Sequence, residues 1–362
     1  SNNQLHTLPA EIGKLSNLTE LYLSNNQLHT LPAEIGKLSN LTELYLSNNQ
    51  LHTLPAEIGK LSNLTNLDLR SNDSLNLKSL CIAFENFPKK ISISSDQDAL
   101  NFDEGILLIN ISNQLQTLPV EIGKLSKLTI LDLSANDSFN LKSLCIAFEN
   151  FPKKISISSN QRALKYDEGI LLIKISNQLQ TLPAEIGKLS NLTNLDLSKN
   201  PLSDAAFDLL ESLASTCTID IDAQYFFDQK QYPQAYRAQK ISATQNKSAT
   251  RSATQNKDAA DGWFNLSWYA LFVQQPKAAI EAAQKTLALD PTSQSVATNL
   301  ALGYLLDNQW PEAEKIYGEW KGKKFSDDGD LCNAIFLKDI AELEAAGITH
   351  TDFEKVKAMM KE

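Results

Sequence analysis

The sequence predicts an α/β solenoid with short parallel strands over residues 1–222, followed by an all-α helical repeat region over residues 223–362. Three observations carry this. Residues 1–23 and 24–46 are identical and residues 47–65 continue the same text, so the chain opens on a 23-residue period. Residues 76–90 return as residues 140–154, so a 64-residue unit takes over where the shorter period stops. From Asp222 the apolar pattern turns helical and adopts a 34-residue period.

The short repeat reads Leu18-x-x-Leu21-x-Leu23-x-x-Asn26-x-Leu28, then Leu31-Pro32 and Ile35-Gly36-x-Leu38. Leu21 and Leu23 alternate inward along a short parallel strand. Asn26 turns the chain, and its amide can satisfy backbone groups otherwise stranded in the interior. Pro32 opens a convex segment, and Ile35 and Leu38 close the core from behind. Inside the longer unit, Ile91-x-Ile93 and its copy Ile155-x-Ile157 have the same alternation; Asp96 stands where the second copy has Asn160. Ile109-x-Ile111 and Ile173-x-Ile175 supply further strands, one residue short before Asn113 and Asn177.

Inward pairs are therefore expected at 21/23, 44/46, 67/69, 91/93, 109/111, 131/133, 155/157, 173/175, 195/197 and 219/221, in one solenoid without insertions. Residues 203–214 read as an amphipathic convex helix, with Ser203 as N-cap and Asp204 favourable in its first turn. Residues 1–222 resemble the bacterial leucine-rich repeats of the LPxEIGxLxxLTxLxLSxNxL type, similar also to the Ras-suppressor-like and plant intracellular classes. The resemblance implies an α/β leucine-rich-repeat solenoid whose concave parallel sheet binds another protein.

In the second half, Trp263-x-x-Leu266-Ser267-x-x-Ala270, Ala279, Ala283 and Pro291 are followed 34 residues later by Ala297, Leu300, Ala301, Tyr304, Ala313 and Tyr317. Small residues at Ala279 and Ala313 let paired helices approach closely. A weaker unit with Phe226 and Ala235 comes 44 residues before the first, and the excess is visible: residues 242–251 are a decapeptide that begins again at Ser252. Such a block predicts an exposed loop or an overlong helix end, where insertion is tolerated. Residues 330–346 read as a helix stopped by Gly347, and Thr351-Asp-Phe-Glu354 as a capping box for the last helix. This half resembles the tetratricopeptide family, with repeats about 223–249, 260–293 and 294–327 and capping helices over 328–362. The resemblance implies a groove that receives an extended peptide or a helix.

Composition excludes several functions. The net charge is −10, with 17 basic and 25 acidic residues through Asp222 and 16 and 18 beyond, so neither half has the basic footprint of a nucleic-acid binder. No apolar run approaches the ~18 residues of a membrane-inserted helix; the longest, Gly105-Ile-Leu-Leu-Ile109, suits a buried strand. The four cysteines show no metal-type spacing and read as small buried hydrophobes. His6, His29 and His52 would stack along one side, but Gln116 and Gln180 hold that position later, which indicates a solvent-facing polar column rather than a metal ladder. No nucleophile elbow, phosphate-cradling glycine loop or His-Glu-x-x-His is present, and Asp68, Asp132 and Asp196 recur because the unit recurs. No cofactor and no enzymatic activity are expected. Ser1-Asn-Asn-Gln-Leu5 matches Ser24-Asn-Asn-Gln-Leu28, the tail of a repeat, which predicts a processing boundary before Ser1.

The expected chemistry is protein or peptide binding. Beside the inward pairs, Glu20, Tyr22, Glu43, Tyr45, Asn66, Asp68, Arg70, Asn110, Asp132, Lys174, Asn194 and Asp196 are expected on the inner face; tyrosine and arginine are favoured interface residues. In the helical half, Asn265 and Asn299 share one groove-facing position. A carboxylate-gripping set is disfavoured, because of the positions Asp220, Gln224, Asn265, Ser295 and Asn299 only Asn265 keeps the pattern. The sequence reading is a protein-interaction scaffold; its rivals are a structural spacer or adhesin segment and the sensor region of a larger signalling protein.

Overall fold

The computed structural model describes residues 3–94, 106–111, 115–134, 136, 139–158, 169–175, 178–245, 253–325 and 331–361. The expected turn positions Asp96, Asn113, Asn160 and Asn177 lie outside them. Two compact units form, Ser1–Asp220 and Ile221–Glu362.

The first unit holds ten strands in one parallel sheet: β1 (Glu20–Tyr22), β2 (Glu43–Tyr45), β3 (Asn66–Asp68), β4 (Lys90–Ser94), β5 (Ile106–Asn110), β6 (Leu128–Asp132), β7 (Lys154–Ser158), β8 (Ile170–Lys174), β9 (Leu192–Asp196) and β10 (Thr218–Asp220). Every expected inward pair is buried except Leu21, which is half-buried on the first strand. Five short 3-10 segments, beginning at Ala10, Ala33, Ala56, Val120 and Ala184, lie opposite the strands, with α1 (Leu77–Phe84), α2 (Leu141–Phe148) and α3 (Asp204–Leu213). Stacking there is close: a Cβ on Gly59 would fall inside the van der Waals envelope of the Ala83 carbonyl oxygen.

The strands do not stack in chain order. The order is β1-β2-β3-β5-β4-β6-β8-β7-β9-β10, so β5 fills the gap between β3 and β4, and β8 fills that between β6 and β7. Spacing along the chain reads each pair as the next coil in line, and here it misleads. Width matches the two steps that carry α1 and α2. Two strand spacings of about 4.8 Å match the roughly 10 Å width of an α-helix, so the coil carrying α1 or α2 advances two places and the following strand returns one. The coils carrying the 3-10 segments at Ala33 and Ala56 advance one place, those at Val120 and Ala184 step past the interposed strand and advance two, and the coil carrying α3 advances one.

Each described turn is held by an asparagine. Asn49, 8% exposed, donates Nδ2 to the Leu46 carbonyl at 2.9 Å and to Leu23 of the preceding coil at 3.0 Å, while Oδ1 accepts from Leu28 N at 3.1 Å. Asn72 repeats this with Leu69, Leu46 and Leu51. Asn26, Asn136 and Asn200 likewise donate to a carbonyl three residues back and accept from an amide 21 residues back. The residue before four of these is left-handed: Asn25, Asn48, Ser71 and Lys199 have φ between 53° and 60°. Asparagine tolerates that region best, which accounts for the Asn-Asn doublet. At α3, Ser203 occupies the N-cap but makes no side-chain cap bond, and its hydroxyl is buried without a partner.

The second unit is a stack of α4 (Ala223–Asp228), α5 (Tyr232–Gln245), α6 (Ala253–Phe272), α7 (Pro276–Leu289), α8 (Val296–Leu306), α9 (Trp310–Trp320), α10 (Cys332–Ala345) and α11 (Phe353–Lys361). Three of its turns share one geometry. Lys230, Gln274 and Asn308 are left-handed, and the next residue donates its N–H to Phe226, Ala270 and Tyr304 respectively. These turns lie 44 and then 34 residues apart, as the alanine alignment requires. Ala235, Ala279 and Ala313 are fully buried one turn into the helix that follows. The first copy of the duplicated decapeptide ends α5 and the second opens α6, an overlong helix end on the described residues; residues 246–252 lie outside them. α10 stops at Gly347, whose φ of 83° lets Ile348 N–H return to the Leu343 carbonyl. The capping box does not form: α11 opens at Phe353, and Glu354 is engaged by Lys357 instead. All four cysteines are buried, and burial lifts the thiols of Cys81 and Cys145 to about 12 and that of Cys217 to about 11.

Replacing Asn49 by Leu is expected to destabilise the solenoid by roughly 1–3 kcal/mol, because buried backbone groups lose their partner; urea unfolding of parent and variant measures it. Deleting residues 242–251 restores the 34-residue spacing, and the shortened chain is expected to keep its helical circular dichroism and cooperative melting.

Candidate protein-interaction surfaces

Side chains flanking the inward pairs project from the strand face, and their register across the sheet is continuous. One row runs Tyr22, Tyr45, Asp68, Asn110, Ser94, Asp132, Lys174, Ser158, Asp196, Asp220. Its two ends differ from its middle.

At the N-terminal end the row is open. Tyr22 is 53% exposed and stacks on half-buried Tyr45, with ring centroids 4.8 Å apart and planes 7° apart. Identical residues in register on adjacent parallel strands place two flat rings at the strand spacing. Each hydroxyl donates to a glutamate of its own strand: Tyr22 to Glu20 at 2.7 Å, and Tyr45 to Glu43. Those bonds, with the nearby carboxylate charge and some burial, lift the Tyr22 phenol and push that of Tyr45 to about 12. Asn66 Nδ2 reaches the Tyr45 hydroxyl at 3.3 Å, and its Oδ1 is buried without a partner. Arg70 lies half-exposed beside them, its guanidinium bidentate on Asp68 at 2.8 Å through Nε and Nη2. That bond raises its already high pKa.

In the middle the expected open face is absent. Asn110, Asp132, Lys174 and Asp196 are buried, at 7, 2, 8 and 6% exposure, and Asp68 at 3%. Neighbouring strands pair their polar groups laterally: Lys174 meets Asp132 at 3.2 Å and the Ser158 hydroxyl donates to Asp196 at 2.9 Å. Each aspartate also closes a turn by accepting the backbone N–H two residues on, from Arg70, Ser134 and Ser198. The repeated acids are turn-formers. Asn194 remains half-exposed. On the opposite side His6, His29, His52, Gln116 and Gln180 form the exposed column that the sequence indicated, with His29 and His52 5.8 Å apart. No cluster of three or more metal-type ligands occurs among the described residues.

In the helical unit, α6, α8 and α10 enclose a cleft of about 260 Å³. Asn265 and Asn299 both line it, but in unlike states. Asn265 is exposed at the rim. Asn299 is buried, donating to the Ser267 hydroxyl at 2.7 Å and the Phe264 carbonyl at 3.3 Å, so its amide builds the wall. Phe264 and Trp268 of α6 face Lys338, Asp339 and Glu342 of α10 across the cleft. Burial lifts the Asp339 carboxyl to about 6, and Glu342 adds to the rise; the nearby Thr298 hydroxyl and the charge of Lys338 oppose it. The Tyr317 hydroxyl is buried without a hydrogen-bond partner, and burial followed by the charge of Asp339 pushes its phenol up. Sequence reasoning missed the α10 residues because this helix reads as a cap. The signal available was an acid at Asp339 between buried Phe336, Ile340 and Leu343.

Against known proteins, the family model described as "Leucine-rich repeat region" matches residues 1–84. No curated protein matches. Similar solved structures include a leucine-rich-repeat protein of Leptospira interrogans, at 24% identity over 60% of this chain and 76% of that one, with TM-score 0.22. Internalin C2 of Listeria monocytogenes is 21% identical over 61% and 78%, with TM-score 0.30. The leucine-rich repeat domain of the type III effector XopL is 21% identical over 60% and 73%, with TM-score 0.31. Residues 1–84 match a leucine-rich-repeat region, a class typical of protein-binding scaffolds and usually without catalysis. No helix among the described residues is long and apolar enough to cross a membrane.

The raised Asp339 carboxyl has a stability consequence with a definite sign. Between its ordinary 3.8 and about 6, the folded state keeps a proton that the unfolded state has lost, so rising pH destabilises the fold through this window. Asp339→Asn removes that penalty. Its urea midpoint is expected to gain on the parent from about pH 4 to about pH 7 and to keep the gain above.

Proposed function

We propose that this chain is a protein-interaction scaffold that holds protein or peptide partners on the N-terminal end of its strand face and, separately, in the groove of a tetratricopeptide-like helical unit. The observation that carries the reading is the exposed Tyr22–Tyr45 stack, next to an Asp68 whose carboxylate holds half-exposed Arg70. A monomer gains nothing in stability from leaving a large ring half in water, whereas an interface gains a rigid anchor with a polar rim. Glu20 and Glu43 fix the hydroxyls and leave the ring faces presented. Asn110, Asp132, Lys174 and Asp196 are buried, and the last three are also engaged by neighbouring side chains, so they offer no contact surface. Glu20, Tyr22, Glu43, Tyr45 and Arg70 are the accessible contact residues. Asn265 is the exposed polar group in the helical groove.

One observation favours a second reading, a structural spacer: the laterally paired polar row in the middle of the sheet stiffens the solenoid and offers little to a ligand.

Selecting a displayed library of peptides and small domains on the intact chain tests the proposal. A selected binder is expected to lose at least ~1 kcal/mol of affinity when Tyr22 and Tyr45 are both replaced by Ala, with unchanged melting. Binders that ignore this double change, while a change at His29 abolishes them, would remove the strand face from consideration.

A further inference from the structure

We propose that the cleft between α6, α8 and α10 seats an arginine side chain of a partner polypeptide, with its guanidinium on the Asp339 carboxylate and its plane against Trp268. The inference rests on the scaffold reading and gives the chemistry of one partner contact.

The cleft's charges are unbalanced. Its two carboxylates, Asp339 and Glu342, share one nearby cation, and Lys338 reaches Glu342 at 3.7 Å. Among the described residues no lysine, arginine or histidine lies within ion-pair distance of Asp339. The nearby Thr298 hydroxyl is directed elsewhere, to the Ser295 carbonyl and the Asn299 amide oxygen, each at 3.2 Å. A half-buried carboxylate with no cation of its own is free to take one from a partner, as a charge-assisted hydrogen bond.

Size and shape narrow the occupant. At about 260 Å³ the cleft is smaller than the roughly 300–1,000 Å³ of sites for drug-sized molecules, and suits one long side chain. Phe264 and Trp268 supply an aromatic wall opposite the acids. An ammonium would satisfy the charge alone. A guanidinium satisfies the charge, stacks on the indole and donates two parallel bonds to one carboxylate. Asn265, exposed at the rim, is placed to meet the backbone that carries the side chain. Asn299 holds α8 against α6 and keeps the wall rigid.

The test titrates the full chain with Nα-acetyl-arginine methylamide and, separately, with its citrulline counterpart, an uncharged near-isostere. The Trp268 indole N–H resonance, assigned through Trp268→Phe, is followed by NMR. The arginine probe is expected to shift it saturably and to bind roughly tenfold tighter than citrulline, the difference expected of a charge-assisted pair. Asp339→Asn should bring arginine down to the citrulline level, and Glu342→Gln should weaken it less, because Lys338 already offsets that charge. The Asn variant loses a destabilising group, so a lost response is not unfolding; a preserved melting curve verifies this. Equal response to the two probes, or arginine binding unchanged by Asp339→Asn, overturns the inference. That failure differs from failure of the scaffold reading: a selected protein held by Tyr22 and Tyr45 would still bind.

Discussion

Everything in the solenoid depends on closing each turn without leaving a backbone group dry and unpaired. A strand of three residues must stop, reverse and return beneath its neighbour, and the stop brings carbonyls of two coils to one buried point. A single amide meets that demand in both directions. Asn49 donates to Leu46 of its own coil and Leu23 of the one before, and accepts from Leu28. The bond that ends one coil therefore also fixes the next coil's position. Repetition follows from this geometry, since each turn is shared with a neighbour and cannot be altered alone.

A second feature is the mismatch between the strands and the segments that cover them. Ten strands stand against eight outer segments among the described residues. The sheet stays continuous because a strand slips into the space that a helix opens. α1 and α2 are identical octapeptides, Leu-Lys-Ser-Leu-Cys-Ile-Ala-Phe, and each is anchored by a pair of buried phenylalanines, Phe84 with Phe87 and Phe148 with Phe151. The strands that slip in, β5 and β8, carry Leu108 and Leu172 on the face away from the helices, in a row that then ends on Asn110 and Lys174.

Much of this was legible in the residues. The inward pairs, the buried asparagines, the outer segments after Leu-Pro and the 44-residue step in the helical half all follow from periodicity, which reports local geometry. The strand exchange was not legible. β5 carries the same alternating isoleucines whether it lies before or after β4, and periodicity fixes which side chains point inward but not which strand lies alongside. The binding surface was half legible. The pattern places Tyr45 and Asp132 at one strand position, yet one is half-exposed and the other buried. The difference lies in the residue on the adjacent strand: Lys174 draws Asp132 into an ion pair, while Tyr22 leaves Tyr45 a ring to stack on.

The same dependence on neighbours explains why α10 carries chemistry that a capping helix does not need. A cap has only to cover the apolar face of the last repeat, and Phe336, Ile340 and Leu343 do that, each fully buried. Asp339 sits on the turn between them, where an alanine or leucine would cover the face without any electrostatic penalty. Its carboxyl is instead held at about 6 by burial, beside a second acid and opposite an indole. A group that lowers the stability of the free protein is of the kind that functional sites retain. Cysteine and asparagine positions elsewhere in the chain are explained by packing and turn closure, which are internal demands. Asp339 answers to none of these, and the proposed arginine is the interaction that would give its position a use.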